Sequence, residues 1–568
     1  NSCDALSGDA DQAWGCMAEY AAILRNPANP GGIAIKTATA GFGDLYSGFT
    51  GTNKITTQSN QEKPVVNCAS GSTVSNDARI LCKLGERKSF NETKTFGDGG
   101  FYYIKGEQGH SNETFTDANP APIRSSSTIG SSIADFAATL VQVIDTAPAG
   151  TITVPEDPYK VSNQLPYAYL PMLEPDIASA ASIWKGNLKK YNLNKGTLYG
   201  KSNNTADTSN PLDNLLYKEV SGRLNESTRD IWQSGDFQIS GVTANNEIEA
   251  GGVYAQLSSP SSGLGSIRSV YVEDYKSAND KTPVLRKLSV NADGIPQGFG
   301  ELVDKDPLTG AYNQLNKRRL LSFLGFDSVL TPGGLPTSNV AVENLILTRP
   351  TETTKVLGGV VHSKPTAISY SSTLNDNGRI SNPRDDYALF GSMDGALHLV
   401  DADKGQEKIA IIPRAMLNNQ PEALDDNSVK ASIGEPYFGV DAPWLVTTDY
   451  KYNLTGKKVT VDNATGKGMF AYGGLRMGGE GLYGMDITDK SAPKIMFTIT
   501  PNGLNGIAST NFARLGQTWS KPVEAKIRMT KDGNPIDVLI FGGGYDMKYE
   551  NDSYVATSVA PAKGNAIY

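Results

Sequence analysis

The chain has 568 residues, 39% of them hydrophobic and 20% charged, with a formal net charge of −8. That length is too great for one simple core, so two or more domains are expected. The 52 basic residues are spread without a cluster, which argues against nucleic acid as a partner, and no apolar run approaches the ~18 residues of a bilayer crossing, so no transmembrane segment is expected.

The opening NSCDALSGDA does not read as a signal peptide. All four cysteines follow early, at Cys3, Cys16, Cys68 and Cys82. Their spacing allows two local bridges, Cys3–Cys16 and Cys68–Cys82, among three possible pairings. Neither a CxxC pair nor a Cys/His cluster is present, which argues against zinc. Disulfides imply an oxidising compartment and hence secretion, with a leader removed upstream.

Residues 1–147 read as α/β. AWGCMAEYAAIL (13–24) has helical spacing, GGIAIKTATAGFG (31–43) is a short buried strand and DARILCKLGE (77–86) a second helix. GGFYYIKG (99–106) reads as another strand, and SSIADFAATLVQVID (131–145) as an amphipathic helix with serine at its start. That order suggests part of a doubly wound domain. Residues 148–160 form a Pro/Gly/Thr-rich linker, and β character dominates 161–568. Helical insertions are expected at NPLDNLLYKEVSGRLNESTRDIWQS (210–234) and YNQLNKRRLLSFLGF (312–326), with a helical turn in the loop 412–434.

The centre of this β region is YALFGSMDGALHLVDADKG (387–405), an apolar run, a Met-Asp-Gly turn and an alternating run. It reads as a β-hairpin. GNLKKYNLNKG (186–196) carries its second half, MFAYGGLRMGGEGLYGMDITD (469–489) repeats it with a longer turn, and VLIFGGGYD to KGNAIY (538–568) begins it again. Strands opening on Pro365, Pro443 and Pro522 precede the hairpins at 387, 469 and 538, the prolines spaced 78 and 79 residues apart. Short strands at a fixed long period predict a β-propeller of four-stranded blades. In the first unit the strands are PTAISY, YALFGS, ALHLVD and KIAIIP. The last blade is open at KGNAIY, to be closed by further chain or by the first β segment.

Catalysis finds little support in the residues. His362 stands at a strand entry, where capping backbone groups is its expected role, and His398 alternates with Leu397 and Leu399, as on a solvated or propeller-lining sheet face. No Gly-x-Ser-x-Gly elbow or P-loop occurs. The acidic pairs Asp385–Asp386 and Asp425–Asp426 sit in polar loops.

Seven segments in order resemble the PilC/PilY family of type IV pilus tip-associated adhesins: SIWKGNLKKYNL, EIEAGGVYAQL, LGGVVHSKP, FGSMDGALHLVDADKG, IPRAML, GGLRMGGEGLYGMDITD, and TWSKP with FGGGYD and GNAIY. The resemblance implies a von Willebrand factor A-like domain before the propeller, of which residues 1–147 look like the C-terminal part. The metal-adhesion motif of such domains, Asp-x-Ser-x-Ser, occurs nowhere in the chain. It also implies a non-enzymatic, extracellular protein at the pilus tip. Its partners would be minor pilins and host-cell or abiotic surface ligands, its effects pilus extension and twitching. Some family members bind calcium in a propeller loop, and the nearest match here is SVNADGIPQGFGE, with Asn291, Asp293 and Glu301 as ligands. That loop lacks an acid at its first position, and its Glu falls one residue late; Asn375, Asn377 and Asp385 form a weaker second. DGALHLVDADKG also resembles the blades of quinoprotein dehydrogenases, the enzymatic alternative, but those need a dense polar centre over calcium, and many use adjacent cysteines.

Overall fold

The computed structural model describes residues 12–26, 29, 34–42, 48–49, 52–56, 62–89, 92–93, 96–104, 147–148, 152–176, 181–201, 214–218, 223–302, 314–326, 341–351, 354–425, 436–531, 533–550 and 563–568. The chain divides into two compact units, Asn1–Val143 and Ile144–Tyr568.

In the first unit, helix α1 (Gln12–Arg25) precedes strand β1 (Thr37–Phe42), which pairs in parallel with β4 (Asp98–Ile104). Between them come the antiparallel hairpin of β2 (Thr52–Thr56) with β3 (Glu62–Val66), and helix α2 (Asn76–Gly85). The Ser75 hydroxyl accepts the Ala78 N–H and so starts α2. Its buried face, Ala78 and Cys82, meets Phe49, Cys68 and Val74, and a disulfide joins Cys68 to Cys82. Cys16 is disulfide-bonded as well; Cys3 and the helix expected at 131–145 lie outside the described residues. A parallel pair covered by a helix is the α/β pattern the sequence predicts.

The second unit is mainly β. β8 (Tyr167–Glu174) and β9 (Lys185–Asn194) form the centre of a four-stranded sheet, flanked by β5 (Ala147–Pro148) and β10 (Thr197–Tyr199). A nine-stranded sheet runs β15-β14-β13-β19-β18-β17-β16-β22-β21. Its members are β13 (Val270–Tyr275), β14 (Pro283–Val290), β15 (Pro296–Gln297), β16 (Thr366–Leu374), β17 (Ile380–Gly391), β18 (Leu397–Asp401), β19 (Glu407–Ile412), β21 (Tyr450–Asn453) and β22 (Lys458–Val461). A six-stranded sheet follows: β20 (Leu445–Thr448), β23 (Met469–Gly474), β24 (Leu482–Asp486), β25 (Lys494–Thr500), β26 (Gly503–Leu504) and β27 (Ile507–Ala508). β28 (Val523–Ile527) and β29 (Ile536–Ile540) form a hairpin, as do the shorter pairs β6 (Glu156–Asp157) with β7 (Lys160–Gln164) and β11 (Gln238–Ile239) with β12 (Val242–Thr243).

The four strands read for the first repeat are β16 to β19, a continuous antiparallel meander with Phe390 opposite His398. The second repeat is β20, β23, β24 and β25. The third has β28 and β29, and Ile567 bridges Gly542 beside them. One feature departs from separate blades: β13 runs parallel to β19, with Val270 opposite Ala410, and merges the first repeat into the wider sheet. The outer edge of β19 is thereby covered rather than left bare. Among the described residues no sheet closes on itself.

Helix α4 (Gln314–Phe323) stands where helical spacing predicts it, and α5 (Arg414–Asn419) supplies the turn after β19. Residues 210–234 are a correction. Their described part holds the bridges Tyr199–Leu215 and Tyr217–Leu224, with turns and no helix. The Thr228 hydroxyl donates to Leu215 O and Asp230 caps Trp232 N–H, so side chains of Asn, Thr and Asp type take over backbone partners that a helix would need. Helix α3 (Gly252–Gln256) follows. The turn after β18 is held from outside its sheet: the Ala402 carbonyl accepts from Lys190 Nζ at 2.7 Å and from Trp232 Nε1 at 3.0 Å.

Candidate functional site

The hairpin turn between β17 and β18 turns its polar side chains inward. Asp394 Oδ1 accepts from the Ser392 hydroxyl at 2.6 Å and from Ala396 N–H at 3.0 Å, and Gly358 N–H donates to Asp394 Oδ2. His398, fully buried, places Nε2 2.7 Å from Ser392 Oγ and 3.2 Å from Asp394 Oδ1, and Nδ1 2.7 Å from Glu407 Oε1. Arg268 closes the row with two bonds to Glu407, at 2.7 and 2.8 Å. Burial alone would lower the pKa of His398, but the carboxylates of Asp394 and Glu407 outweigh it and hold it at about 9. Burial would raise Glu407, yet Arg268 and His398 bring it down to about 2.

Hydroxyl, imidazole and carboxylate here lie in the order of a nucleophilic triad. The imidazolium has no lone pair to take a serine proton, and Ser392 is 1% exposed. The row is an ion network that fixes the hairpin. The reading of His398 as a solvated or lining residue is therefore corrected: β18 is central, both its faces are covered, and alternation with leucines cannot distinguish that case. The signal lay in Asp394, in the turn before β18, and Glu407, which opens the neighbouring strand β19.

The corresponding turn of the second repeat faces outward. Arg476, in left-handed backbone at φ 52°, donates to Asp441 Oδ2 at 2.8 Å. Asp441 is 2% exposed and also accepts from His362 N–H at 3.1 Å, with the His362 ring at 2.8 Å. The expectation that His362 caps backbone groups is corrected: its ring meets the Asp441 carboxylate, which also caps the His362 N–H. On its other side the Arg476 guanidinium lies 4.3 Å from the Trp519 ring, which packs against Tyr545 at 5.3 Å, and Tyr545 against Tyr549 at 6.0 Å. Trp519 is 40% and Tyr549 50% exposed. Four of the segments that carry the family resemblance, VVHSKP, GGLRMGGEG, TWSKP and GGGYD, meet in this one surface cluster.

A cleft of about 640 Å³ opens beside it, and its lining includes Gln517, whose side-chain oxygen accepts from Trp519 Nε1 at 3.2 Å. It is bounded by the ends of β13 and β25, the β26–β27 edge and α5. Glu273, 4% exposed, lines it and accepts from the Thr498 hydroxyl at 2.7 Å and Arg414 N–H at 2.9 Å. Burial raises the pKa of Glu273 against those two bonds.

The residues proposed for calcium lie elsewhere, at the β14–β15 turn. Asn291 Oδ1 accepts the N–H groups of Asp293 at 3.0 Å and Ile295 at 2.9 Å, and Glu301 stands 3.5 Å from Arg286. In the second candidate, Asn375 likewise accepts from the N–H groups of Asn377 and Arg379. Among the described residues no three His, Cys, Asp or Glu side chains gather as a metal-ligand group. No helix of the described residues is long and apolar enough to cross a membrane.

No protein-family model matches the chain. A PilY1 homologue from Xylella fastidiosa, named as a type IV pilus biogenesis factor, is 29% identical over 169 residues, which is 30% of this chain and 11% of that protein. PilY1 of Pseudomonas aeruginosa is 25% identical over 225 residues, 37% of this chain and 17% of the relative. The chain therefore matches only a small share of these relatives' length. The crystal structure of the P. aeruginosa PilY1 C-terminal domain is 25% identical, covering 28% of this chain and 25% of that one, with a TM-score of 0.18. Together with the seven motifs in order, these matches support the likeness of this chain to the PilC/PilY family.

Proposed function

We propose that the chain is part of a non-enzymatic type IV pilus biogenesis factor that acts outside the cell as a pilus-tip adhesin. In this reading the repeats of the second unit form a propeller, and the first unit belongs to a von Willebrand factor A-like domain. The β sheets hold a surface that engages minor pilins, while other loops meet host-cell or abiotic surfaces, so that pilus extension and twitching depend on the protein. The relatives' name supports the pilus role. The observation that carries the rest is the convergence of four family-like segments on Arg476, Trp519 and Tyr545. Tryptophan, tyrosine and arginine are the side chains that most often anchor protein interfaces.

Capture of purified minor pilins on the immobilised chain tests this. Saturable capture that weakens in Trp519→Ala is the expected result, and failure by folded protein would remove the proposal. Calcium is tested separately, by calorimetric titration of Ca²⁺ into the parent and into Asp293→Ala. Heat in the parent that Asp293→Ala lacks assigns the ion to the Asn291–Glu301 loop; equal heats, or none in either, dismiss that loop.

A further inference from the structure

Three polar atoms at the outer turn form a triangle that can be filled in two ways. Arg476 Nη1 donates to Asp441 Oδ2 at 2.8 Å, His362 Nδ1 lies 2.8 Å from the same oxygen, and Arg476 Nη1 is also within hydrogen-bond reach of His362 Nδ1. A carboxylate only accepts and a guanidinium only donates, whereas an imidazole nitrogen holds either a lone pair or a proton. With a lone pair, His362 Nδ1 accepts from Arg476 and has no hydrogen to give Asp441. With a proton, it donates to Asp441 and meets Arg476 donor to donor. The two contacts exclude each other, so one proton selects between them.

Histidine is the side chain whose charge ordinarily changes between about pH 5 and 8. The His362 side chain is 40% exposed and open to solvent protons, while Asp441 beneath it is 2% exposed. The segments that meet here are 357–365, 391–396, 438–443, 474–480 and 517–521. Besides Asp441 and Arg476, their charged groups are Lys364, Asp394, Glu480 and Lys521. Asp394 is held by Ser392 and His398, and Glu480 by Lys563. Among the described residues the ring's bonds are to Asp441 and Arg476, and the neutral Phe438 ring lies 6.4 Å away.

The consequence of the proton falls on Arg476. Beside a neutral ring, the guanidinium is tied to two acceptors while it lies 4.3 Å from the Trp519 ring. An imidazolium carries a proton on both nitrogens, so it takes Asp441 for itself, offers Arg476 no lone pair and repels its charge. A long side chain already held in place binds a partner at lower entropic cost than a free one.

We propose that His362 is a pH-sensitive latch on this surface: neutral, it fixes Arg476 beside Trp519 for docking, and protonated, it releases the guanidinium. The proposal rests on the pilin-docking reading and names the regulation of that site.

Trp519 emission of the whole chain, taken as the difference between the parent and Trp519→Phe, is followed from about pH 5 to 8 beside ring-proton NMR of the histidine-labelled parent. The Trp519 signal should change with the same midpoint as the His362 ring. His362→Asn keeps an acceptor near Nδ1 but cannot be protonated there, and it should stay at the parent's alkaline signal throughout. The comparison of ring and indole in the parent needs no altered latch, so misfolding of the variant does not blunt the test. A flat Trp519 signal overturns the proposal, as does a transition that survives in His362→Asn or a His362 ring that does not titrate in this range. Minor-pilin capture by the parent should be about threefold or more stronger at about pH 8 than at about pH 5, the scale of immobilising one long side chain, and equal at both in His362→Asn. Equal capture by the parent overturns the latch alone. Capture at neither pH overturns the pilin reading alone, since emission and NMR still decide the latch.

Discussion

Two turns occupy the same place in successive repeats and do opposite work. One joins β17 to β18, where Gly391 pairs with Leu397; the other joins β23 to β24, where Gly474 pairs with Leu482. Both strands approach a neighbour so closely that only glycine fits. A Cβ on Gly391 would lie 2.0 Å from Val440 O, and one on Gly474 1.6 Å from Thr518 Oγ1. Beyond that shared plan they diverge. The short Met-Asp-Gly turn folds Asp394 back onto Ser392 and His398, and all three are buried. The longer Leu-Arg-Met-Gly-Gly-Glu turn carries Arg476 out to a carboxylate and an exposed indole. Turn length decides whether a polar residue locks the core or furnishes the surface.

The largest expected effect breaks the inner turn. Glu407→Ala leaves Arg268 and the His398 imidazolium buried without their shared carboxylate, and urea unfolding should show a loss of ~3–5 kcal/mol. A loss below ~1 kcal/mol would mean that ions do not hold this hairpin.

The next effect is on pH. The folded pKa of His398, about 9, lies above its ordinary value, so its contribution is fully present below about 6.5 and is lost as pH rises through about 9. Lys189 acts in the other direction. Burial lowers its pKa to about 8 against the pull of Asp230 and Glu247, so stability recovers as pH climbs from about 8 towards its unfolded value. Stability should fall between pH 6.5 and about 8, level between about 8 and 9, and recover above about 9. His398→Gln should abolish the fall and Lys189→Met the recovery; unfolding midpoints across this range check both.

The outer turn yields smaller changes. Asp441→Asn removes the charge that Arg476 and His362 share, with an expected cost of about 1–3 kcal/mol and a shift in Trp519 emission. Arg476→Ala should cost only ~0.5–1 kcal/mol, because its ring partner is half exposed, yet weaken pilin capture. Were Arg476→Ala as destabilising as Glu407→Ala, the division of work between the turns would be wrong.

How far the sequence spoke follows from the same contrast. Short-range signals were legible: β16 to β19, α2 and α4 fall where alternation, turn residues and helical spacing put them. The parallel seam between β13 and β19 was not, because residues 270 and 410 carry no mark of each other. The helix expected across 210–234 failed because its apolar spacing was read without its Asn, Thr and Asp side chains, which hold turns there. The segments of the surface cluster were visible as family-like motifs. Their convergence on Arg476 and Trp519 was not, since a cation over a ring joins residues brought near only by three sheets' worth of chain.

The clamp on Ala402 constrains the order in which the molecule assembles. Its carbonyl meets Lys190 across 212 residues and Trp232 across 170, and Arg268 waits 139 residues for Glu407. Until the chain reaches these later positions, the earlier cations stay hydrated and the indole has no acceptor. Closing such spans precedes any gain from them, which makes folding slow in a chain of this topology. Burial of Trp232 should therefore trail hairpin formation in refolding, and a chain emerging from its N-terminal end completes its centre only after residue 407 has followed.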